Sequence, residues 1–389
     1  MYSDREILYF LQTIPGIGNK TIRQLWHYFS SGDAVFNAVE SDLKQILKPS
    51  QVRAFLQERE KETPSSKLAE LQKKGIRYYS IFDWQYPLRL RTAADPPLSL
   101  FVRGELPPEK EMTAAVVGAR YHSYYGEKHT RAFSSLLAKQ GIGIVSGMAK
   151  GIDSIAQLTA IENGGKTYAV LGCGVDVCYP EESRKLYEMI PAHGGIISEY
   201  LPETMPQAGL FPMRNRIISA LGDILLVMEA KEKSGTLITV DMALEQGKEI
   251  WALPGRVDDI LSVGCNRLIA QGAGILTDLG EFAKELEWMK EKYGTSRRDI
   301  GKKRSKQQKE VEKNESVGDE LNCKNPAWNI EKEILSILNY QPSSIDAVYK
   351  AICRKKQITL TIPELSMILL ELCMQKKIKQ VNGGFYVSV

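Results

Sequence analysis

Residues 211–216 read Phe211-Pro212-Met213-Arg214-Asn215-Arg216. An aromatic ring beside two arginines, on a loop entering a helix, suits stacking on a nucleic-acid base while guanidinium groups hold neighbouring phosphates. The same stretch also fits a core phenylalanine flanked by surface ion pairs. Three glycine-bearing loops bear on the choice. Gly118-Ala119-Arg120 offers close backbone approach to an anion and, in Arg120, a planar fork of donors for phosphate. Ser146-Gly147-Met148-Ala149-Lys150-Gly151 opens a helix, so free N–H groups and the positive end of a helix dipole face outward. Ser234-Gly235-Thr236 likewise precedes a helix. Any one such loop can need glycine merely to turn the chain. Three on one sheet edge, with Arg120 and Lys150 among them, favour a phosphate-rich ligand.

Other chemistries fare worse. Gly165-Lys166-Thr167 ends like a P-loop, but Ala160 stands where the first glycine is required, and the triplet precedes a strand instead of following one. Gly172-Cys173-Gly174 follows a strand, yet Val177 replaces the third glycine and Tyr179-Pro180 delays any helix, which argues against NAD. The four histidines (His27, His122, His129, His193) form no Ser-His or Cys-His arrangement and have no metal-ligand spacing on one helix face. Asp153, Asp176, Glu199 and Glu229, near strand ends, read as cap and loop residues. No catalytic residue, metal or cofactor is expected. Ile14-Pro15-Gly16-Ile17-Gly18-Asn19-Lys20-Thr21 fits either a plain helix–helix turn or a hairpin presenting N–H groups to a DNA phosphate.

These loops need a scaffold, and the hydrophobic pattern supplies one. From residue 112, short apolar runs at Ala114–Val117, Ile142–Val145, Tyr168–Leu171, Ile196–Ser198, Ile224–Met228, Ile250–Leu253 and Ile275–Leu276 alternate with amphipathic stretches such as Glu127–Lys139, Ser154–Asn163 and Leu237–Gln246. That alternation predicts βαβ units and a parallel sheet between helices, with ligands at the carboxyl ends of its strands. The expected fold class is α/β, an extended Rossmann-like parallel sheet flanked by an N-terminal all-α module and a C-terminal winged helix. Five segments follow: a helical module at 1–65, a proline-rich bridge at 66–110, the sheet domain at 111–289, a flexible charged linker at 290–325, and a winged helix at 326–389. The last combines helical periodicity at 330–338, 345–352 and 362–373 with Asn382-Gly383, a strong hairpin signal. Its Lys376, Lys377 and Lys379 suit phosphate contact or a solvated face.

A length of 389 residues suits two or three domains, and 43% hydrophobic with 25% charged residues excludes wholesale disorder. The net charge of +4 is matched by the linker alone, where eleven basic face seven acidic side chains, so any nucleic-acid footprint must be arranged locally by the fold. No apolar run approaches the roughly 18 residues that span a bilayer. The acidic Met1-Tyr2-Ser3-Asp4-Arg5-Glu6 start is unlike a signal peptide, and six cysteines lack C-x-x-C spacing. A soluble, reduced, cytoplasmic protein is expected.

The ordered segments from about Ala114 to Thr277 resemble the DNA-processing protein A family, also called Smf. They are Val117-Gly118-Ala119-Arg120, the Ser146–Asp153 loop, Gly172-Cys173-Gly174-Val175-Asp176 with Tyr179-Pro180, and Phe211 through Ser219. Glu229-Ala230 with Ser234–Thr239, Ala252-Leu253-Pro254-Gly255 and Gly264-Cys265-Asn266 complete the set. The resemblance implies a dimerising, non-enzymatic protein that binds single-stranded DNA without sequence preference. It also implies help in loading the recombinase RecA during natural transformation or recombination. DNA contacts carry over to Gly118, Ala119, Arg120, Ser146, Gly147, Met148, Ala149, Lys150, Gly151, Phe211, Arg214, Asn215, Arg216, Ser234, Gly235 and Thr236. Two departures imply weaker affinity: Met205–Leu210 has no lysine, and Ala119 stands where relatives usually have Ser or Thr. The alternative on such a sheet is an enzyme processing nucleotides or ribose phosphates.

Overall fold

The computed structural model describes residues 2–293 continuously, with 334, 343–344, 348–349, 365, 368–369, 372, 378–381 and 385–388. The chain divides into two compact units, Met1–Arg304 and Ser305–Val389.

The first unit begins with helices α1 (Asp4–Thr13), α2 (Asn19–Phe29), α3 (Gly32–Phe36), α4 (Glu40–Leu43), α5 (Pro49–Lys61) and α6 (Pro64–Lys73). Ser3 starts α1 with a capping box, its hydroxyl accepting from the Glu6 N–H while the Glu6 carboxylate accepts from the Ser3 N–H. Pro49 and Pro64 open α5 and α6, where a missing N–H breaks no helical bond. Ile7, Leu8, Leu11, Ile22, Leu25, Val52 and Phe55, spaced for one helix face, close into a single core. Gly16, at φ +81°, turns the chain between α1 and α2, and Ile14 and Ile17 anchor that turn in the same core. Tyr9 of α1 packs on Tyr78 and Phe101 at ring separations of 5.2 and 6.1 Å, tying the helices to the sheet.

The sheet begins with β1 (Arg77–Ser80), a short α7 (Leu88–Arg91) and β2 (Ser99–Gly104). Alternation then sets in: β3 (Thr113–Val117), α8 (Tyr124–Lys139), β4 (Gly143–Ser146), α9 (Ile152–Glu162), β5 (Thr167–Val170), α10 (Arg184–Met189) and β6 (Gly194–Ser198). It continues with α11 (Leu210–Leu221), β7 (Ile224–Val227), α12 (Gly235–Glu245), β8 (Glu249–Ala252), α13 (Val263–Ala270) and β9 (Gly274–Ile275). All seven runs expected as strands are strands. The nine lie in the order β1-β2-β6-β5-β4-β3-β7-β8-β9, parallel from β6 to β9. The sheet is not wholly parallel, because β1–β2 and β2–β6 pair antiparallel. Those two strands come from the proline-rich bridge, where the sequence pattern predicts none.

Both faces are dry, which explains the unbroken apolar runs. Ala115, Val117 and Val145 pack toward α11 and α12, whereas the alternating Ala114, Val116 and Ile144 pack toward α8 and α9. Winding reverses between β3 and β7, which lie side by side although three strands and four helices separate them in the chain. The loops leaving β3, β4 and β7 therefore emerge around one crevice.

At the opposite end, the Arg89 guanidinium donates to the Thr113 hydroxyl at 2.6 Å and the Leu221 carbonyl at 2.8 Å, and lies 3.6 Å from the Asp223 carboxylate. Asp223 also accepts from the Thr113 N–H at 2.8 Å. Both charged side chains are buried, and the ion pair together with these hydrogen bonds compensates their lost hydration.

In the second unit, β10 (Ser343–Ser344), β11 (Ile378–Val381) and β12 (Phe385–Ser388) form an antiparallel sheet in the order β10-β12-β11. The turn at Asn382-Gly383, the charged linker beyond residue 293 and most of the three expected helices lie outside the described residues. Among the described residues, no helix is long and apolar enough to cross a membrane.

Two outcomes are expected in urea denaturation. Asp223→Ala should destabilise the first unit by about 3–5 kcal/mol, because it removes the carboxylate beside the buried Arg89 charge and the acceptor of the Thr113 N–H. Gly151→Ala should cost about 1–3 kcal/mol in backbone strain alone. Gly151 sits at φ +87°, and an added Cβ would come within 2.4 Å of the Ala119 carbonyl oxygen.

Candidate nucleic-acid interface

The floor of the crevice is a buried arginine. Arg214, in the first turns of α11, is 6% exposed, and its Nη1 donates to the carbonyls of Gly147 (2.9 Å) and Val170. One side chain thereby joins the ends of β4 and β5. Asp153 of α9, equally buried, accepts from the Gly147 N–H at 3.1 Å. Burial raises the Asp153 pKa, and the Arg214 charge opposes that rise; burial likewise lowers the Arg214 pKa against the support of Asp153. Gly147 is pinned between them, since a Cβ there would lie 2.5 Å from the guanidinium.

Above this floor opens a cleft of about 540 Å³. The β3 loop gives Gly118, Ala119 and Arg120, the α9 loop gives Ala149, α11 gives Phe211, Arg214 and Asn215, and the start of α12 gives Ser234, Gly235 and Thr236. Ser234 caps α12, its hydroxyl accepting from the Thr236 N–H, and the Thr236 hydroxyl donates to the Gly118 carbonyl at 3.2 Å. That bond fixes the β3 loop against the positive end of an eleven-residue helix. Arg120 is exposed and has no hydrogen-bond or ion-pair partner among the described residues. It is a cation held at the rim with its donors unspent.

Phe211 is half-buried, with its ring 5.4 Å from that of Tyr179 and inclined by 30°. Tyr179 is 44% exposed, so the pair presents π-surface to solvent. A second cavity of about 240 Å³ adjoins the first and is lined by Arg120, Gly147, Ala149, Lys150, Phe211 and Arg214, among others.

The structure thus gathers twelve of the sixteen expected residues around two joined hollows and leaves four outside them. Ser146 is fully buried, donating to the Val116 carbonyl at 2.6 Å. Met148 is fully buried, packed with Ala169 and Leu171. Gly151 serves the backbone turn beneath the β3 loop. Arg216 points elsewhere: its guanidinium grips the Glu199 carboxylate at 2.6 and 2.9 Å and reaches Asp95 at 3.2 Å. Arg214 lines the cleft, but as a brace whose donors are engaged with backbone.

The acids behave as caps and braces. Asp176 accepts from the Glu203 N–H at 2.8 Å, Glu199 holds Arg216, and Glu229 accepts from the Ser123 N–H at 3.0 Å at the start of α8. No group of three or more His, Cys, Asp or Glu able to hold a metal occurs among the described residues. Sequence reasoning missed Tyr179, Pro206, Ala208 and Ile238, which also line the cleft. Tyr179 had a signal, since it delays the helix after a G-x-G; the others are placed only by the fold.

A family model described as DNA recombination-mediator protein A matches residues 77–287. DNA processing protein DprA of Streptococcus pneumoniae is 42% identical over 210 residues, 54% of this chain and 74% of that protein. Protein Smf of Escherichia coli is 42% identical over 204 residues, 52% of this chain and 54% of its own length. Among solved structures, DprA of S. pneumoniae aligns with a TM-score of 0.63 at 35% identity, covering 73% of this chain and 99% of the other. DNA processing protein A of Helicobacter pylori aligns with a TM-score of 0.50 at 32% identity, covering 54% and 95%. With more than half of its residues matched and a curated relative covered over nearly three quarters of its length, the chain belongs to the DNA recombination-mediator protein A family.

Proposed function

We propose that the cleft between β3 and β7 binds single-stranded DNA, with phosphates on Arg120 and the α12 N-terminus and a base on Phe211. The observation that carries this reading is the unspent Arg120 cation beside a helix N-terminus and a solvent-facing ring pair, in a cleft with no other cation free of partners on its wall. Support comes from the H. pylori relative, whose structure concerns a single-stranded DNA binding mode. Every base has a π-face, so this mode needs no sequence preference.

On the same reading the chain works by binding, not catalysis, in the cytoplasm, as a homodimer that presents DNA to RecA recombinase during natural transformation or recombination. The family's description as a recombination mediator supports that role. Residues 1–65 serve as a helical module, 111–289 as the Rossmann-like DNA-binding domain, and 326–389 as a winged helix joined by the charged linker. Incubation with a panel of nucleotides, followed by assay for released base or phosphate, should find no product; turnover would favour the enzyme reading.

Phe211→Ala should weaken oligo-dT binding by about 1–3 kcal/mol, the range for one base–aromatic stack, in fluorescence anisotropy. Arg120→Ala should weaken it too and lower the magnitude of the log–log salt slope by about 0.7, one phosphate contact on a single strand. Arg216→Ala should leave that slope unchanged, because the side chain it removes is paired with Glu199. Parental affinity in both of the first two variants would exclude the cleft.

A further inference from the structure

The smaller cavity shares Arg120, Ala149, Tyr179, Phe211 and Arg214 with the main cleft, so the stacked Phe211 and Tyr179 rings border both hollows. Its remaining wall carries Tyr121, Lys150 and Glu182. Tyr121 is 77% exposed, an aromatic ring that contributes little to any core. The Lys150 ammonium lies 5.4 Å from the centroid of that ring and 3.5 Å from the Glu182 carboxylate. Both ends of the ion pair are more than half exposed, so water competes with it and another anion can replace Glu182 at little cost. At about 240 Å³, below the roughly 300–1,000 Å³ that encloses a drug-sized ligand, the space suits a single base.

We propose that this cavity is a second nucleotide subsite. The base neighbouring the one on Phe211 stacks on Tyr121, and the adjoining phosphate takes Lys150 from Glu182. Glu182 then acts as an internal competitor that keeps Lys150 neutralised until a strand enters. The proposal rests on the single-strand reading above and adds to it the direction the strand takes out of the cleft, past Tyr179 toward the start of α8.

The test compares oligo-dT with an abasic strand of equal length, by anisotropy on the full chain. Tyr121→Ala should weaken oligo-dT binding by about fivefold or more and leave the abasic strand unaffected, because only stacking is lost. Tyr121→Phe, which keeps the π-face, should bind like the parent. Lys150→Ala should weaken both strands by a similar factor, and Glu182→Gln should tighten both by up to about fivefold. Because Tyr121 is largely exposed, its replacement leaves the core packing in place. Parental oligo-dT affinity in Tyr121→Ala, or equal weakening on both strands, overturns the subsite. Phe211→Ala, run alongside, separates the two ideas: if it weakens oligo-dT while Tyr121→Ala does not, only the subsite fails. If neither does, the cleft reading fails as well.

Discussion

The site depends on a guanidinium buried where the parallel strands end. A loop leaving a strand has no ladder to hold it, and its carbonyls must be satisfied away from water. Arg214 does this for Gly147 and Val170 at once, from a helix that enters from a third loop. Asp153 holds the Gly147 N–H from the other side. Two opposite charges placed out of water are costly unless each hydrogen-bonds as well. Here both do, and their bonds converge on one glycine. The result is a braced floor at the ends of β4 and β5, beside the point where the winding of the sheet reverses.

That floor explains how the arginines divide their work. Arg214 and Arg216 are two residues apart on α11, about 200° around the helix, and cannot face the same hollow. The first turns into the sheet edge and braces it. The second turns toward β6 and is held by Glu199, whose carboxylate sits on the strand-end loop there. Arg120, on the β3 loop, is the cation left exposed. On the proposed reading the binding charge comes from a side chain outside the strongest motif, and the motif itself holds the ring and the brace. A phosphate partner must be accessible and unpaired, whereas a loop brace must be neither.

Much of the fold was legible in the amino-acid order, because βαβ alternation leaves a periodic trace and buried parallel strands read as unbroken apolar runs. Ala114–Val117 and Ile224–Met228 were clear for that reason. Arg77–Ser80 and Ser99–Gly104 were not: four to six residues amid prolines carry too little pattern, and only pairing of β2 with β6, and of β1 with β2, makes them strands. At the site, glycine loops pointed to backbone approach, and the loops at 118–120, 147–150 and 234–236 meet at one edge of the sheet. The depth of each side chain was not legible, since Ser146 and Met148 sit beside Gly147 and Ala149 in the chain but face inward. The aromatic partner Tyr179 was likewise hidden, because its ring meets Phe211 only through contact between β5 and α11 loops distant in sequence.

Hydrogen–deuterium exchange of the full chain with and without oligo-dT addresses the central claim most directly. Gripping a strand at this edge should slow exchange at residues 118–120, 211–215 and 234–236, with little change at the Arg89–Asp223 end of the sheet. Protection confined to residues 326–389, with the cleft loops unaltered, would contradict it.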